Sequence, residues 1–340
     1  MSRQQLTGED RLLAWLRRRL GPSLLGDDAA VLPGRGPFAV TVDSQISGVH
    51  FPHGLDPALV ARRLLAVNLS DLAAMGAAPA YALLALAAPP DYPLRRFFLA
   101  LLGACRRHGV ELAGGDLARG AGPGLTATLT LLGRRRPRSR WLPRAGARPG
   151  QALWLGGTVG ESAAGRLLLA AGARIAGRGV GLPRAFQAPP AVAAAARRAV
   201  RRHLAPEPQL ALSAWLARRR GPGGGGAIDL SDGVARDLHR LCRESGVGAV
   251  VEAAALPMAR GFRELCARLE HEPVRLALAG GEDYVLLFSL PARAEPPAEL
   301  GCRRIGEITA ARRGRMPRVR LVQDGGEQEL PPLGWDHLGK

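Results

Sequence analysis

The spacing of hydrophobic residues in the first part of the chain predicts alternating helices and strands. Four leucines recur at helical spacing within Asp10–Leu20, which predicts an amphipathic helix there. In Leu125–Leu132 threonines alternate with apolar residues, as in a strand that has one apolar face. The same patterns predict strands at Phe38–Asp43 and Tyr81–Ala87 and helices at Ala58–Met75 and Leu94–His108.

A stretch rich in arginine, proline and glycine, residues 133–150, interrupts this pattern. We predict a domain boundary there, with one domain over residues 1–145 and a second over residues 146–340. The second half then gives strands at Ala152–Leu155, Ala227–Leu230, Ala249–Glu252 and Tyr284–Leu290, and helices at Ser162–Ala171, Ala191–His203 and Gly233–Ser245. Because both halves mix strands with helices, the sequence predicts an α/β or α+β fold.

The charge of the chain has two interpretations. The formal net charge is +18 in 340 residues, and almost every cation is arginine, since the only lysine is Lys340. Arginine clusters can bind nucleic acid, but aromatic residues are not interleaved with them, as a surface for single strands would need. A solvated arginine-rich surface is the interpretation we favour, with nucleic acid as an unlikely partner. The single lysine also excludes a P-loop and a kinase-type catalytic lysine.

Targeting and membrane signals are missing from the sequence. The N-terminal residues alternate apolar and charged side chains at helical spacing, which is unlike a signal peptide. The longest apolar runs fall short of the length that crosses a membrane. The four cysteines are isolated from one another, with no C-x-x-C pair. We therefore expect a cytoplasmic protein.

The acidic residues are few, and many of them stand in short segments flanked by glycine or serine. There are 29 of them, and six such segments recur along the chain: 26–28, 41–44, 68–71, 114–116, 229–233 and 280–283. Carboxylates that gather without a cation repel one another, whereas Mg²⁺ prefers carboxylate oxygens and phosphates as ligands. Glycine lets a phosphate approach backbone N–H groups closely. Together the segments predict a site for divalent metal and phosphate.

Each segment also has a plainer interpretation when it is taken alone. Asp71 could be a surface residue of its helix, and Asp232-Gly233 could be only a helix cap and turn. Gly26-Asp27-Asp28 alone is more often a turn than a ligand set. Their order along one chain is what makes the set specific.

That order resembles the thiamine-monophosphate kinases, a family of the aminoimidazole-ribonucleotide-synthetase-like ATP-binding superfamily. The resemblance spans nearly the whole chain. It is carried by GDDAAV (26–31), VDSQISGVHF (42–51), AVNLSDLAAMGA (66–77), GGD (114–116), R-x-GA-x-PG (144–150), IDLSDG (228–233), GGEDY (280–284) and GWDHL (334–338). Of these, NLSDLAAMGA and the pair IDLSDG and GGEDY are fairly specific, whereas GGD alone is weak.

The resemblance implies a two-domain PurM-like fold and a reaction. It implies an N-terminal mixed sheet that forms a barrel across a homodimer, followed by a C-terminal α/β domain. The family transfers the γ-phosphoryl group of ATP directly to thiamine monophosphate, which gives thiamine diphosphate and ADP. Several Mg²⁺ ions would neutralise the phosphates and align them, so no nucleophilic side chain is required.

The resemblance also assigns roles to individual residues. The positions that match metal ligands are Asp27, Asp28, Thr41, Asp43, Asp71, Asp116, Asp229 and Asp232, with Asp232 also expected to be catalytic. The positions that match nucleotide contacts are Gly115, Asp116, Arg144 and Ser231, and those that match contacts to thiamine monophosphate are His50, Glu282 and Trp335. Val42 and Leu117 depart from the family pattern, because each stands where a threonine is usual.

Three alternatives stay open at this point. Another ATP-dependent member of the same superfamily would share the fold but act on a different oxygen or acid group. A catalytically weak paralogue would explain the hydroxyls lost at Val42 and Leu117. A basic nucleic-acid-binding protein would explain the charge but would leave the six acidic segments unexplained.

Overall fold

The computed structural model of the protein describes residues 30–32, 36–176, 179–219, 225–311 and 317–335. The predicted helix Asp10–Leu20 and the predicted metal ligands Asp27 and Asp28 lie outside these residues. Two sheets of five and seven strands, each packed against helices, make up most of the described chain. The predicted class, a mixture of strands and helices in both halves, is confirmed.

The first sheet contains five strands and carries two helices. The strands are β1 (Ala30–Leu32), β2 (Phe38–Ile46), β3 (Ala77–Ala88), β4 (Glu111–Arg119) and β5 (Thr126–Arg135), in the order β1-β2-β5-β3-β4. The helices are α1 (Pro57–Ala74) and α2 (Leu94–His108). Only the β3–β4 pair is parallel among these strands, because α2 carries the chain back across the sheet between them.

Helix α1 lies at the centre of the molecule. Its start is set by Asp56, whose side chain accepts a hydrogen bond of 2.9 Å from the Ala58 N–H group, and by Pro57 in the first turn. Most of its side chains are buried, which explains its nearly continuous apolar sequence. The helix ends before Gly76, whose φ of 74° is left-handed and whose added Cβ would lie 2.9 Å from the Cβ of Ala217.

The second sheet has seven strands in the order β14-β13-β10-β12-β6-β11-β9. They are β6 (Gln151–Leu155), β9 (Ala227–Asp229), β10 (Val247–Glu252), β11 (Leu286–Pro291), β12 (Arg303–Ala310), β13 (Val319–Gln323) and β14 (Gly326–Glu329). Only β10 and β13 pair in parallel, and the other neighbours are antiparallel. A separate hairpin joins β7 (Arg174–Ala176) to β8 (Gly179–Gly181).

Six further helices pack in this half. They are α3 (Glu161–Ala170), α4 (Pro190–Leu204), α5 (Leu210–Arg218), α6 (Val234–Ser245), α7 (Phe262–Arg268) and α8 (Pro273–Ala279). Each half has its own hydrophobic core, and a third apolar cluster joins them. In that cluster Ala73 and Ala74 of α1 pack with Leu216 of α5 and Phe288 of β11. None of the helices that the structure describes is long and apolar enough to cross a membrane.

The two faces of the first sheet differ in what covers them. Residues opposite one another in the register share a face, and the row Asp43, Leu129, Leu84 and Gly115 has buried leucines at its centre. The next rows face the other way: Val42, Thr130, Leu83 and Gly114 form one, and Ser44, Thr128, Ala85 and Asp116 form another. Val42 is 58% exposed and Leu83 is 43% exposed. One face of the sheet is therefore buried, and the other, the open face, has large apolar side chains that are exposed to solvent.

The predicted boundary between residues 145 and 146 falls between the last strand of the first sheet and the first strand of the second. The boundary stays a prediction, because one apolar cluster contains residues of both halves.

Candidate active site

The C-terminal half of α1 brings residues of both sheets together. The hydroxyl of Thr41 on β2 donates a hydrogen bond of 2.5 Å to Oδ2 of Asp71. The adjacent Ser70 donates a hydrogen bond of 2.7 Å to Oδ2 of Asp229, at the end of β9. Consecutive residues of one helix thus contact one predicted ligand from each half of the molecule. The plainer interpretation of Asp71, a surface residue of its helix, is not supported.

Asp43 lies on the same face of β2 as Thr41, the face on which α1 packs. Its carboxylate accepts a hydrogen bond of 2.9 Å from the N–H group of Ser44. Among the residues that the structure describes, no three carboxylate, histidine or cysteine side chains form a group that could hold a metal ion. Asp27 and Asp28 are not among those residues, so the full ligand set stays a prediction.

Three of the sequence motifs meet at the backbone of Ser231 and Asp232. The Glu282 N–H group donates a hydrogen bond of 2.7 Å to the carbonyl of Ser231, and the Trp335 N–H group donates one of 3.1 Å to the carbonyl of Asp232. Glycines make this approach possible. A Cβ on Gly281 would lie 2.8 Å from the Ser231 carbonyl oxygen, and one on Gly334 would lie 2.2 Å from that of Asp232.

Asp232 belongs to a buried group of charges. Arg240 on α6 donates from Nη1 to Oδ2 of Asp232 and to Oδ1 of Asp237, the latter at 2.9 Å. Asp237 in turn accepts a hydrogen bond of 3.0 Å from the N–H group of Asp232. Burial raises the pKa of Asp237 to about 7, and the nearby Asp232 adds to this while Arg240 opposes it. The side chain of Asp232 does not cap α6, whose N-cap residue is Gly233.

Arg144 lies beside this group of charges. It begins a short 3-10 turn, Arg144–Gly146, and its carbonyl accepts a hydrogen bond of 2.5 Å from the hydroxyl of Ser245. Its guanidinium is one of the cations that lower the pKa of Asp237. A predicted nucleotide contact and the predicted catalytic carboxylate therefore lie in one neighbourhood.

Glu282 is held by an arginine from the other half of the chain. Arg63 of α1 is completely buried, and its Nη2 donates to Oε1 of Glu282. Its Nε donates a hydrogen bond of 2.7 Å to Oε1 of Gln45, and its Nη1 donates to the carbonyl of His203. The Arg63 guanidinium also lies 5.9 Å from the centre of the Tyr284 ring.

The segment around Glu282 has an unusual backbone. Glu282 and Tyr284 have φ angles of 57° and 50°, in the left-handed region that residues with side chains rarely adopt. His203 lies 3.5 Å from the Glu282 carboxylate and 3.1 Å from the hydroxyl of Ser162. Burial lowers the pKa of His203 well below its usual value, so the ring is neutral near neutral pH.

The remaining predicted residues lie around this centre in different ways. His50 accepts a hydrogen bond of 3.1 Å from the Ile46 N–H group at its Nδ1, and Trp335 is half-exposed. Gly115 lies so close to β3 that a Cβ there would be 1.9 Å from the carbonyl oxygen of Leu84. Asp116 is exposed on the edge strand β4, in a row that faces away from Asp43. The structure therefore does not bring Asp116 to Asp43 within one chain.

Four residues of this region were not found by sequence reasoning: Arg63, His203, Asp237 and Arg240. Arg63 did leave a signal, since it is a charge in the apolar pattern of α1, between Val60 and Val67. Asp237 and Arg240 look like ordinary helix charges three residues apart, and only their burial reveals them. His203 carries no signal, because it follows two arginines in the last turn of α4.

The chain has close relatives of known family. Residues 26–135 match the family described as AIR synthase related protein, N-terminal domain. The thiamine-monophosphate kinase of Escherichia coli strain K12 is 36% identical over 92% of this chain and 91% of its own length. The chain belongs to the thiamine-monophosphate kinase family.

Solved structures agree with this membership of the thiamine-monophosphate kinase family. The structure of AaThiL complexed with AMPPCP and TMP superposes with a TM-score of 0.81 at 26% identity, over 99% of both chains. Hydrogenase maturation protein HypE in complex with ATP superposes with a TM-score of 0.66 at 22% identity, over 97% of this chain and 95% of that one. This second likeness concerns the fold alone. The resemblance inferred from the motifs is confirmed, and the nucleic-acid-binding alternative is not favoured.

Proposed function

We propose that this protein transfers the γ-phosphoryl group of ATP directly to the phosphate of thiamine monophosphate, giving thiamine diphosphate and ADP. The observation that carries the proposal is the meeting of IDLSDG, GGEDY and GW at the backbone of Ser231 and Asp232, in a chain that belongs to the thiamine-monophosphate kinase family. The relative of known structure that bears an ATP analogue and TMP supports both substrates.

The reaction needs charge neutralisation more than a base, because the acceptor is already an anionic phosphate. Ser231 and Arg144 are proposed to hold the polyphosphate, since a guanidinium can donate a planar pair of N–H groups to phosphate oxygens. Glu282, which Arg63 holds, and the half-exposed Trp335 are the proposed contacts to thiamine monophosphate. His50 completes the proposed contacts to that substrate.

Magnesium suits the donors at this site, since Thr41, Asp43, Asp71, Asp229 and Asp232 offer only oxygen atoms. We propose that these residues hold Mg²⁺ together with Asp27, Asp28 and Asp116. When bound, the ions would neutralise the transferred phosphoryl group and align the two substrates.

A homodimer is also part of the proposal. The open face of the first sheet bears Val42 and Leu83 beside Asp116, and large exposed apolar side chains of this kind are typical of protein interfaces. A second copy that covers this face would place Asp116 at the interface, which explains why it faces away from Asp43. The cytoplasmic location expected from the sequence stays a prediction.

The direct test is to incubate the purified protein with ATP and Mg²⁺, with and without thiamine monophosphate, and to measure ADP and thiamine diphosphate. We expect both products only when both substrates are present. ADP release that needs a different phosphorylated or carboxylated acceptor would keep the fold and overturn the substrate. No turnover with any such acceptor would support a catalytically weak paralogue.

A further inference from the structure

A cavity of about 1030 Å³ opens between the N-terminal ends of α1 and α3 and the C-terminal end of α4. Five arginines and three carboxylates line it, together with apolar side chains such as Leu59 and Leu204. None of the residues placed in the proposed active site is among its lining residues. Its size suits a small metabolite, for which pockets usually measure about 300–1,000 Å³.

Two of the five arginines are neutralised within the cavity wall. Arg96 donates from Nε and Nη2 to the two carboxylate oxygens of Asp56 at 2.6 and 2.5 Å. Arg198 donates from Nε to Glu161 at 2.6 Å. This leaves three arginines and the single carboxylate of Glu207, so the wall has a surplus of about two positive charges.

The three remaining arginines have few hydrogen-bond acceptors within the protein. Arg62 and Arg201 are exposed, and neither makes a hydrogen bond or ion pair to any residue in the described part of the chain. Arg62 is near enough to Asp56 to lower its pKa, though less than Arg96 does. Arg202 donates only one long hydrogen bond of 3.3 Å, to the carbonyl of Asp283, and its buried Nε has no acceptor among the described residues. Like charges that face one cavity repel one another, and an unpaired buried donor is unfavourable.

We propose that this cavity binds a dianionic phosphate ester of a small metabolite, at a site separate from the active site. The phosphate would lie among Arg62, Arg201 and Arg202, because guanidinium groups match phosphate oxygens in pairs and a dianion balances the surplus charge. The organic part would contact Leu59 and Leu204 on the apolar part of the wall.

The site is placed to influence Glu282. Arg202 contacts the carbonyl of Asp283, and the next residue of α4, His203, lies 3.5 Å from the Glu282 carboxylate. A ligand that draws Arg202 into the cavity would weaken its hold on the segment that carries Glu282. We expect such a ligand to change the KM for thiamine monophosphate, a consequence that rests on the proposed function, whereas the binding itself does not.

Binding is tested by calorimetric titration of the full-length protein with phenyl phosphate and with inorganic phosphate, in EDTA and without ATP. We expect phenyl phosphate to bind more tightly than inorganic phosphate, because only the former has an apolar part. Arg201→Gln and Arg62→Gln should each weaken binding about tenfold or more, as the loss of a charged hydrogen bond does.

Two further variants locate the bound probe. Arg107→Gln is the matched control, because Arg107 is an exposed arginine in the last turn of α2, as Arg201 is in the last turn of α4. This variant should bind phenyl phosphate as tightly as the wild type does. Arg144→Gln should also keep binding, since Arg144 belongs to the proposed active site. No binding to the wild type, equal binding by Arg201→Gln, or loss of binding in Arg144→Gln would each overturn the site.

The influence on catalysis is tested by measuring the KM for thiamine monophosphate with and without phenyl phosphate, at free Mg²⁺ in excess. We expect a change in KM with the wild type and none with Arg201→Gln. An unchanged KM in an active enzyme that binds the probe would overturn the regulatory part alone. An inactive enzyme that binds the probe would leave the site standing and contradict the proposed function.

Discussion

Asp232 is the residue on which most of the proposed chemistry depends. Its carbonyl accepts a hydrogen bond from the Trp335 N–H group, and its own N–H group donates one to the Asp237 carboxylate. Its carboxylate forms an ion pair with Arg240. The backbone contacts fix its position, and Arg240 supplies an opposite charge beside the buried carboxylate. A side chain held in this way can bind a cation through one oxygen without a further loss of conformational entropy.

Asp232→Asn should reduce kcat by about 10²–10³-fold or more, since it removes the negative charge and leaves the size of the side chain unchanged. Turnover of ATP and thiamine monophosphate with Mg²⁺ measures the loss, and circular dichroism checks that the variant is folded. Asp324→Asn, in the exposed turn between β13 and β14, is the matched control. Near-normal activity of Asp232→Asn would count against the assignment.

Arg63 positions a substrate contact from within the core. Arg63→Lys keeps the charge, but a single ammonium cannot reach Gln45, the carbonyl of His203 and Glu282 at once, as the planar guanidinium does. We expect the KM for thiamine monophosphate to rise about tenfold, with a smaller change in kcat. Steady-state kinetics measure both, with the exposed Arg106→Lys as control. A loss in kcat at unchanged KM would show that Arg63 does not act through substrate binding.

At the scale of elements, the N-terminal end of α3 depends on a residue far away in sequence. The carboxylate of Asp283 accepts hydrogen bonds of 2.7 Å from the N–H group of Gly160 and 3.2 Å from that of Ser162. These are donors that the start of a helix leaves without partners. The contact joins α3 to the GGEDY segment, so the helix and the site segment are stabilised together.

Ionisation of Asp283 should oppose folding. Burial raises its pKa from 3.8 to about 6, although the two N–H groups oppose this. Between these values the folded protein binds more protons than the unfolded chain, so the free energy of unfolding falls as pH rises through about 4 to 6. Two pKa units correspond to roughly 3 kcal/mol.

Asp283→Asn should therefore remove about 3 kcal/mol of the pH dependence between about pH 4 and pH 6. Urea unfolding of the wild type and the variant across this range measures it, because the titrations of other groups are common to both. Asp91→Asn, which changes an exposed aspartate, should leave the wild-type curve unaltered. A variant whose stability changes with pH as steeply as that of the wild type would contradict the prediction.

Helices and strands were predictable to different degrees. The pattern placed both ends of α1 to within one residue and both ends of α2 exactly. It could do so because apolar spacing and the signals at Pro57, Gly76 and Gly109 act locally. Strand β4 escaped prediction, since its glycine-rich sequence has no apolar face and its pairing with β3 is decided by distant residues. The other elements missed are the strands β1, β7, β8, β12, β13 and β14 and the helices α5, α7 and α8.

The candidate site was predictable as a set of segments and less so as an arrangement. The order of the acidic motifs indicated which segments carry the chemistry. It did not indicate that Ser70 bridges to Asp229, that Arg63 fixes Glu282, or that Asp43 and Asp116 face opposite ways. Such contacts join residues far apart in sequence, and no local pattern encodes them. The structure also bears on the departure at Val42, which lies on the open face and not on the face of Thr41 and Asp43.

At the scale of the whole molecule, the open face of the first sheet is the feature left without a partner within the described chain. Its central row places Val42 and Leu83 on either side of Thr130, and Asp116 lies in the neighbouring row. An apolar sheet face exposed to water is unfavourable, because each large side chain gains about 1.5–3 kcal/mol on burial. A second copy would cover the face and bury Asp116 at the interface.

Leu83→Arg should therefore produce a monomer, because a buried charge at the centre of the interface has no partner there. Turnover should fall with it, because Asp116, a proposed metal ligand, lies in the row next to Leu83 and would be left exposed. Sedimentation velocity measures the mass, and the kinase assay measures the turnover. Leu99→Arg is the matched control, since Leu99 is 65% exposed but lies on α2, away from this face, and should keep the mass and activity of the wild type. A wild type that sediments as an active monomer would contradict the dimer. An active monomer of Leu83→Arg would show instead that one chain holds a complete site, and that Asp116 acts within its own protomer or not at all.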